Sequence, residues 1–168
     1  ASFNQGKNLL IKKLQENVFL VRLPQTSTTV QFHSTLSKEN LSSICASISV
    51  LRSAFNIQSA IIKVDLPFWR LLGSQLHDDY GWKLTYDCMD EHSGFTHNSP
   101  MAERDEHILM KNADLVLFSS HVLQDKSKDV VKNSLLVPNG TDFELFHQAA
   151  QVMDPVLQQK YGHPIIGY

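Results

Sequence analysis

Seven consecutive residues, Tyr86-Asp87-Cys88-Met89-Asp90-Glu91-His92, place three carboxylates and an imidazole directly behind an apolar run. Crowding and partial burial move such groups toward neutral pKa values, so this stretch can supply a general base. Asp87 follows the run Trp82–Tyr86, which would pin its side chain at a strand exit. A carboxylate in that place can equally bond loop amides and do no chemistry. Two further exits collect small polar residues: Ser119, Ser120 and His121 after Leu115–Phe118, and Asn139, Gly140, Thr141 and Asp142 after Ser134–Val137. Such groups, beside helix amino termini, suit phosphate, carboxylate or sugar hydroxyl groups. Each also has a plain structural use, since Ser120 and Asp142 can cap helices and Asn139-Gly140 can make a tight turn.

Other chemistries find less support. Asp90, His92 and His97 are not framed by a helical histidine pair or a Cys-x-x-Cys, so no metal site is expected. The chain contains no Gly-x-Gly-x-x-Gly, no phosphate-binding Gly-x-x-x-x-Gly-Lys-Ser/Thr and no Gly-x-Ser-x-Gly. Cys88 sits among acids, which raise a thiol pKa and argue against a cysteine nucleophile.

The elements that must position these residues alternate. Asn17–Leu23 predicts a strand, and Gln25 to Thr35 a loop. Ser37 can cap a helix whose apolar positions Leu41, Ile44, Cys45, Ile48, Leu51 and Phe55 keep helical spacing. Ser59–Val64 is the next strand, and Asp65-Leu66-Pro67 opens a short helix to about Leu76, in which Phe68 and Trp69 serve as core or lid. Trp82–Tyr86 is the third strand. Asn98-Ser99-Pro100 starts a helix that runs to about Asn112. Leu115–Phe118 then feeds a helix from Ser120 to about Asp129, and Ser134–Val137 leads to one helical turn over Asp142–Phe146. His163–Tyr168 begins another strand. Strands alternating with helices predict an α/β fold: a doubly wound, mostly parallel, Rossmann-like sheet with helices on both faces. Its ligand crevice should lie along the carboxyl ends of the strands.

Composition sets the outer bounds. With 168 residues, 42% hydrophobic and 19% charged, the chain has the makeup of a globular domain. A formal net charge of -2 gives no reason to expect nucleic acid as a partner. The longest apolar runs are strand-sized, too short to span a bilayer. The first residues lack the apolar stretch of a signal peptide. Two cysteines, Cys45 and Cys88, make no disulfide framework. Asn40 and Asn139 open glycosylation-type triplets, a short pattern that often arises by accident.

Three passages carry a family likeness: Tyr86–Glu91, Ala113–Ser120 and Val137-Pro138-Asn139-Gly140-Thr141-Asp142-Phe143-Glu144-Leu145-Phe146. In order and spacing they resemble the nucleotide-sugar-dependent glycosyltransferases of the two-domain GT-B fold, especially the retaining glycosyltransferase family 4. The likeness covers residues 80 to 168 well, and 17 to 80 only in rhythm. It implies that residues 1–162 form an acceptor-side, amino-terminally incomplete Rossmann-like domain. Residues 163–168 would then begin a missing donor-binding domain. The implied substrates are a nucleotide-diphosphate sugar and a saccharide or lipid-linked acceptor, with no cofactor. Cytoplasmic placement is implied too, with peripheral contact at the inner membrane face, although no basic amphipathic helix stands out. Several members of the family have a histidine after the third strand, where this chain has Asp87 with Asp90 close behind. These two take the implied catalytic part, and Glu91, His92, Ser120, Asn139, Gly140 and Asp142 would bind acceptor or donor.

Two rivals remain open at this point. One is a non-enzymatic α/β module that holds a small polar ligand or a protein partner at the same strand ends. The other is an enzyme of a different class, with Asp87 and His92 as an acid–base pair.

Overall fold

The computed structural model describes residues 10–23, 35–92, 100–151, 156, 159 and 160. The chain divides into two compact units, Ala1–Pro138 and Asn139–Tyr168. The expected strand at 163–168, the helix-opening Asn98-Ser99 and most of the 25–35 loop lie outside the described residues.

The first unit opens with a hairpin. Strand β1 (Leu10–Gln15) pairs antiparallel with β2 (Val18–Arg22), with a bulge between Lys13 and Gln15. The expected strand over 17–23 is thus real, but its partner is a local one. The hairpin is a two-stranded sheet of its own. Lys12-Lys13 hides the apolar positions of β1 from a reading by periodicity.

Helix α1 (Lys38–Ala54) starts where expected, with the Ser37 Oγ accepting from the Asn40 amide at 3.2 Å. It ends with Asn56 in the left-handed region at φ 51°, while Ile57 N–H donates to Arg52 O and Asn56 N–H to Ser53 O. That reversed pairing satisfies carbonyls a helix end leaves open.

Strands β3 (Ile61–Val64), β4 (Lys83–Cys88), β5 (Leu115–Phe118) and β6 (Ser134–Leu136) form one parallel sheet in that order. A turn of 3₁₀ helix over Pro67–Trp69 leads into α2 (Arg70–Tyr80), which runs past Leu76 to a left-handed Gly81 at φ 67°. Helices α3 (Pro100–Asn112) and α4 (His121–Ser127) make the next two crossovers. The fold is the expected α/β, Rossmann-like one, a parallel sheet flanked by helices. Its described strands keep chain order, so the order reversal that opens a doubly wound crevice is not among them. Right-handed crossovers between strands in unbroken order fall on one face.

The helix-covered face is the core. Val64, Leu84, Tyr86, Cys88, Val116 and Phe118 pack against Leu109, Met110 and Ala113. Gly73 lets α2 approach closely, since a Cβ there would stand 3.0 Å from both Leu84 and Val64 side chains. A second cluster joins Leu36, Ile44 and Phe68, so Phe68 is core rather than lid. Asp105, buried on α3, accepts from Arg70 Nε and from Thr35 Oγ1, each at 2.8 Å. On the other sheet face Ile61, Lys63, Lys83 and Leu135 are exposed.

At the amino ends of the strands Asp114 acts as a clamp. Its carboxylate accepts from the Leu84 amide at 2.9 Å and from Lys83 Nζ at 3.1 Å. The Leu84 amide, then Lys83, holds that carboxyl below the usual range.

In the second unit, helix α5 (Phe143–Gln151) is longer than the single turn expected over 142–146. Among the described residues no helix is long and apolar enough to cross a membrane.

Candidate functional site

Strand β4 runs two residues beyond its expected end, so Asp87 lies inside the strand rather than after it. Strand alternation turns Tyr86 and Cys88 into the core and sends Asp87 to the opposite face. Register places Lys63 opposite Thr85, two residues short of Asp87 and on that same face. Lys63 Nζ therefore reaches Asp87 Oδ2 at 2.8 Å, and it bonds Asp65 as well. The Asp65 bond, then the Asp87 bond, pushes the ammonium pKa above its ordinary value. Asp87 is 21% exposed, so it offers a fixed, charge-paired acceptor at the sheet edge.

The β4 exit is braced from β5. Ser119 Oγ donates to Met89 O at 2.6 Å, and the Ser119 amide to Cys88 O at 3.4 Å. Asp90 is exposed, and its backbone carbonyl faces the Cys88 thiol at 3.7 Å. Glu91 accepts from Lys126 Nζ through both oxygens, at 2.8 and 2.9 Å, which fastens the β4 exit to α4. His92 is half-buried. Ser120 caps α4, its Oγ accepting from the Leu123 amide at 3.3 Å.

A cavity of about 210 Å³ opens behind this loop, walled by Asp90, His92, Glu103, Glu106, His107 and Lys126. Glu106 is the buried acid of its lining, beside buried Cys88 and Met110. Tyr86 OH donates to Glu106 Oε1 at 2.7 Å, and Cys88 Sγ lies 4.0 Å from the same oxygen. Burial raises the Glu106 carboxyl above the ordinary carboxylate range. Burial, helped by Glu106, pushes the Cys88 thiol up to about 12 and the Tyr86 phenol well above its usual value. Cys88 is therefore a poor nucleophile, in line with its acidic surroundings.

The structure thus gathers Asp87, Asp90, Glu91, His92, Ser119 and Ser120 along one sheet edge, and adds Lys63, Asp65 and Lys126. Glu106 also escaped sequence reading. A signal was present, because Asp105 and Glu106 share the helical phase of Ala102, Leu109 and Met110, where an acid is buried only with a partner. Asn139, Gly140 and Asp142 belong to the second unit. Asn139 and Gly140 are exposed, and the backbone over 137–142 makes no turn. Asp142 Oδ1 accepts from the Leu145 amide at 3.0 Å and caps α5. Among the described residues no group of three or more His, Cys, Asp or Glu is placed to hold a metal ion.

No family model and no curated protein matches the chain. Among solved structures it is similar to sucrose-phosphate synthase from Thermosynechococcus elongatus. That likeness has a TM-score of 0.53 and 17% identity, over 90% of this chain and 78% of that one. At such identity the likeness concerns the fold alone, an α/β sheet flanked by helices.

Proposed function

We propose that this chain is the acceptor-side portion of a GT-B glycosyltransferase of the retaining family 4 type. It would act with a donor-binding domain that begins near residues 163–168. The reaction transfers a sugar from a nucleotide diphosphate to a hydroxyl of a saccharide or lipid-linked acceptor, in the cytoplasm. The bond between the anomeric carbon and the phosphate oxygen breaks, the acceptor oxygen bonds that carbon, and its hydroxyl proton leaves with the departing nucleoside diphosphate.

The observation that carries this reading is Asp87, fixed by Lys63 at the carboxyl edge of a parallel sheet in a glycosyltransferase-like fold. A paired carboxylate held there can accept a hydrogen bond from the acceptor hydroxyl and aim its oxygen, which is catalysis by orientation. Asp90 stands beside it, exposed, as a second acceptor. Ser119 braces the loop and Ser120 caps α4, and the Ser120 hydroxyl keeps its proton to donate to acceptor or donor.

The test uses the full-length polypeptide, offered a panel of nucleotide-diphosphate sugars with and without saccharide acceptors. Acceptor-dependent release of nucleoside diphosphate is expected. Asp87→Asn should lower kcat/KM for the acceptor roughly tenfold to a hundredfold, the scale of a lost hydrogen bond to a charged group. The KM for the nucleotide sugar should stay put. A full-length product without a second α/β domain, or one that releases no nucleoside diphosphate, would overturn the proposal.

A further inference from the structure

The cavity behind the β4 exit carries more negative charge than its neighbours answer. On α3, Glu103, Glu106, His107 and Met110 fall three and four apart, so they present one helix face to it. Leu123 and Lys126 of α4 also line it. Lys126 is already engaged by both oxygens of Glu91, at 2.8 and 2.9 Å. That leaves Asp90, Glu103 and Glu106 with no second lysine or arginine on the described lining. Glu106 is only 9% exposed. Tyr86 OH at 2.7 Å and Cys88 Sγ at 4.0 Å both approach its Oε1, which leaves Oε2 for the cavity. A carboxylate this buried is ordinarily paired. Burial raises its pKa, and the His92 imidazole offsets that only in part.

We propose that this cavity binds the ammonium group of a short aliphatic amine, held by buried Glu106 and by Glu103 at the rim, with the carbon chain against Met110 and Leu123. Three observations select this ligand. A metal ion would need at least three converging His, Cys, Asp or Glu, and among the described residues no such group is placed. An anion would meet the acids of the lining. At about 210 Å³ the space falls below the roughly 300 Å³ at which drug-sized sites begin, so it suits a fragment rather than a nucleotide or a disaccharide. An ammonium group donates three hydrogen bonds, which acceptors at two depths can share. Each methylene buried against Met110 and Leu123 adds roughly fourfold in affinity. This inference does not depend on the proposed sugar transfer, since Asp87 lies on the opposite face of the sheet.

The test is a titration of the 168-residue chain with butylammonium chloride, read by backbone amide chemical shifts, beside matched sodium chloride, butanol and sodium butyrate. Saturable shifts are expected for butylammonium alone, centred on residues 103–110 and on Leu123. Methylammonium, three methylenes shorter, should bind at least roughly tenfold more weakly. Glu106→Gln should weaken butylammonium binding roughly tenfold or more, the scale of a hydrogen bond to a charged group. Glu103→Gln, at an exposed position, should weaken it about threefold. Asp125→Asn removes an exposed acid of α4 that does not line the cavity, and should leave binding unchanged. The proposal is overturned if butylammonium gives no saturable shift, if sodium chloride or butanol reproduces its shifts, or if folded Glu106→Gln binds like the parent. Circular dichroism checks that each variant folds. Should Glu106→Gln fail to fold, Glu103→Gln and the methylammonium comparison decide, and the absence of either loss overturns the proposal.

Discussion

Glu106 shows how one residue can hold a charge problem for the whole sheet. Its carboxyl is buried beside Tyr86 and Cys88, and burial raises its pKa in the folded chain. In the unfolded chain it titrates at the ordinary glutamate value of about 4.3. Below that pH the group is protonated in both states and its contribution is fully present. As pH rises toward the folded pKa the unfolded state ionises first, and stability is lost. Glu106→Gln keeps an acceptor for the Tyr86 hydroxyl but carries no charge. It should unfold at higher urea than the parent at neutral pH, with no difference below about pH 4. A gap that persisted in acid would tie the effect to packing rather than to ionisation. Asp114 has the opposite sign: its lowered carboxyl contributes stability above the unfolded pKa and loses it in acid.

Among the elements, α2 and α3 are held together by the Arg70–Asp105 pair, which also reaches back to Thr35. The side chains are 17% and 7% exposed, so neither charge has ready access to water. Asp105→Ala would leave the guanidinium without its carboxylate, at a cost of about 3 kcal/mol in a urea titration. The left-handed end of α2 is a smaller matter. Gly81 has open space around it, so Gly81→Ala should cost about 1 kcal/mol through backbone strain alone. Of these devices the Ser37 cap was legible in the sequence, because a cap depends on its own helix. The Arg70–Asp105 pair was not, since its partners stand 35 residues apart and meet only when two helices pack.

At the scale of the molecule, the four-stranded sheet and the hairpin are separate sheets. Cooperative units of unequal stability are the expected result. Amides of β4 and β5, the two inner strands of the parallel sheet, should exchange most slowly, and those of β1 and β2 markedly faster. Equal protection in both sheets would mean that the hairpin unfolds only with the rest.

The sequence by itself determined the alternation of strands and helices, because buried parallel strands and amphipathic helices write their periods into local runs. It also placed Asp90, Glu91, His92 and Ser120 at strand exits, since an exit is the point where an apolar run stops, whereas Asp87 lies one residue inside the end of β4. Only the tertiary structure decided what those residues touch. Lys63 reaches Asp87 through the β3–β4 register, Lys126 reaches Glu91 across 35 positions, and Glu106 meets Tyr86 from the next helix. Register and packing are set by the whole sheet closing on its core, and no local run of residues contains that information.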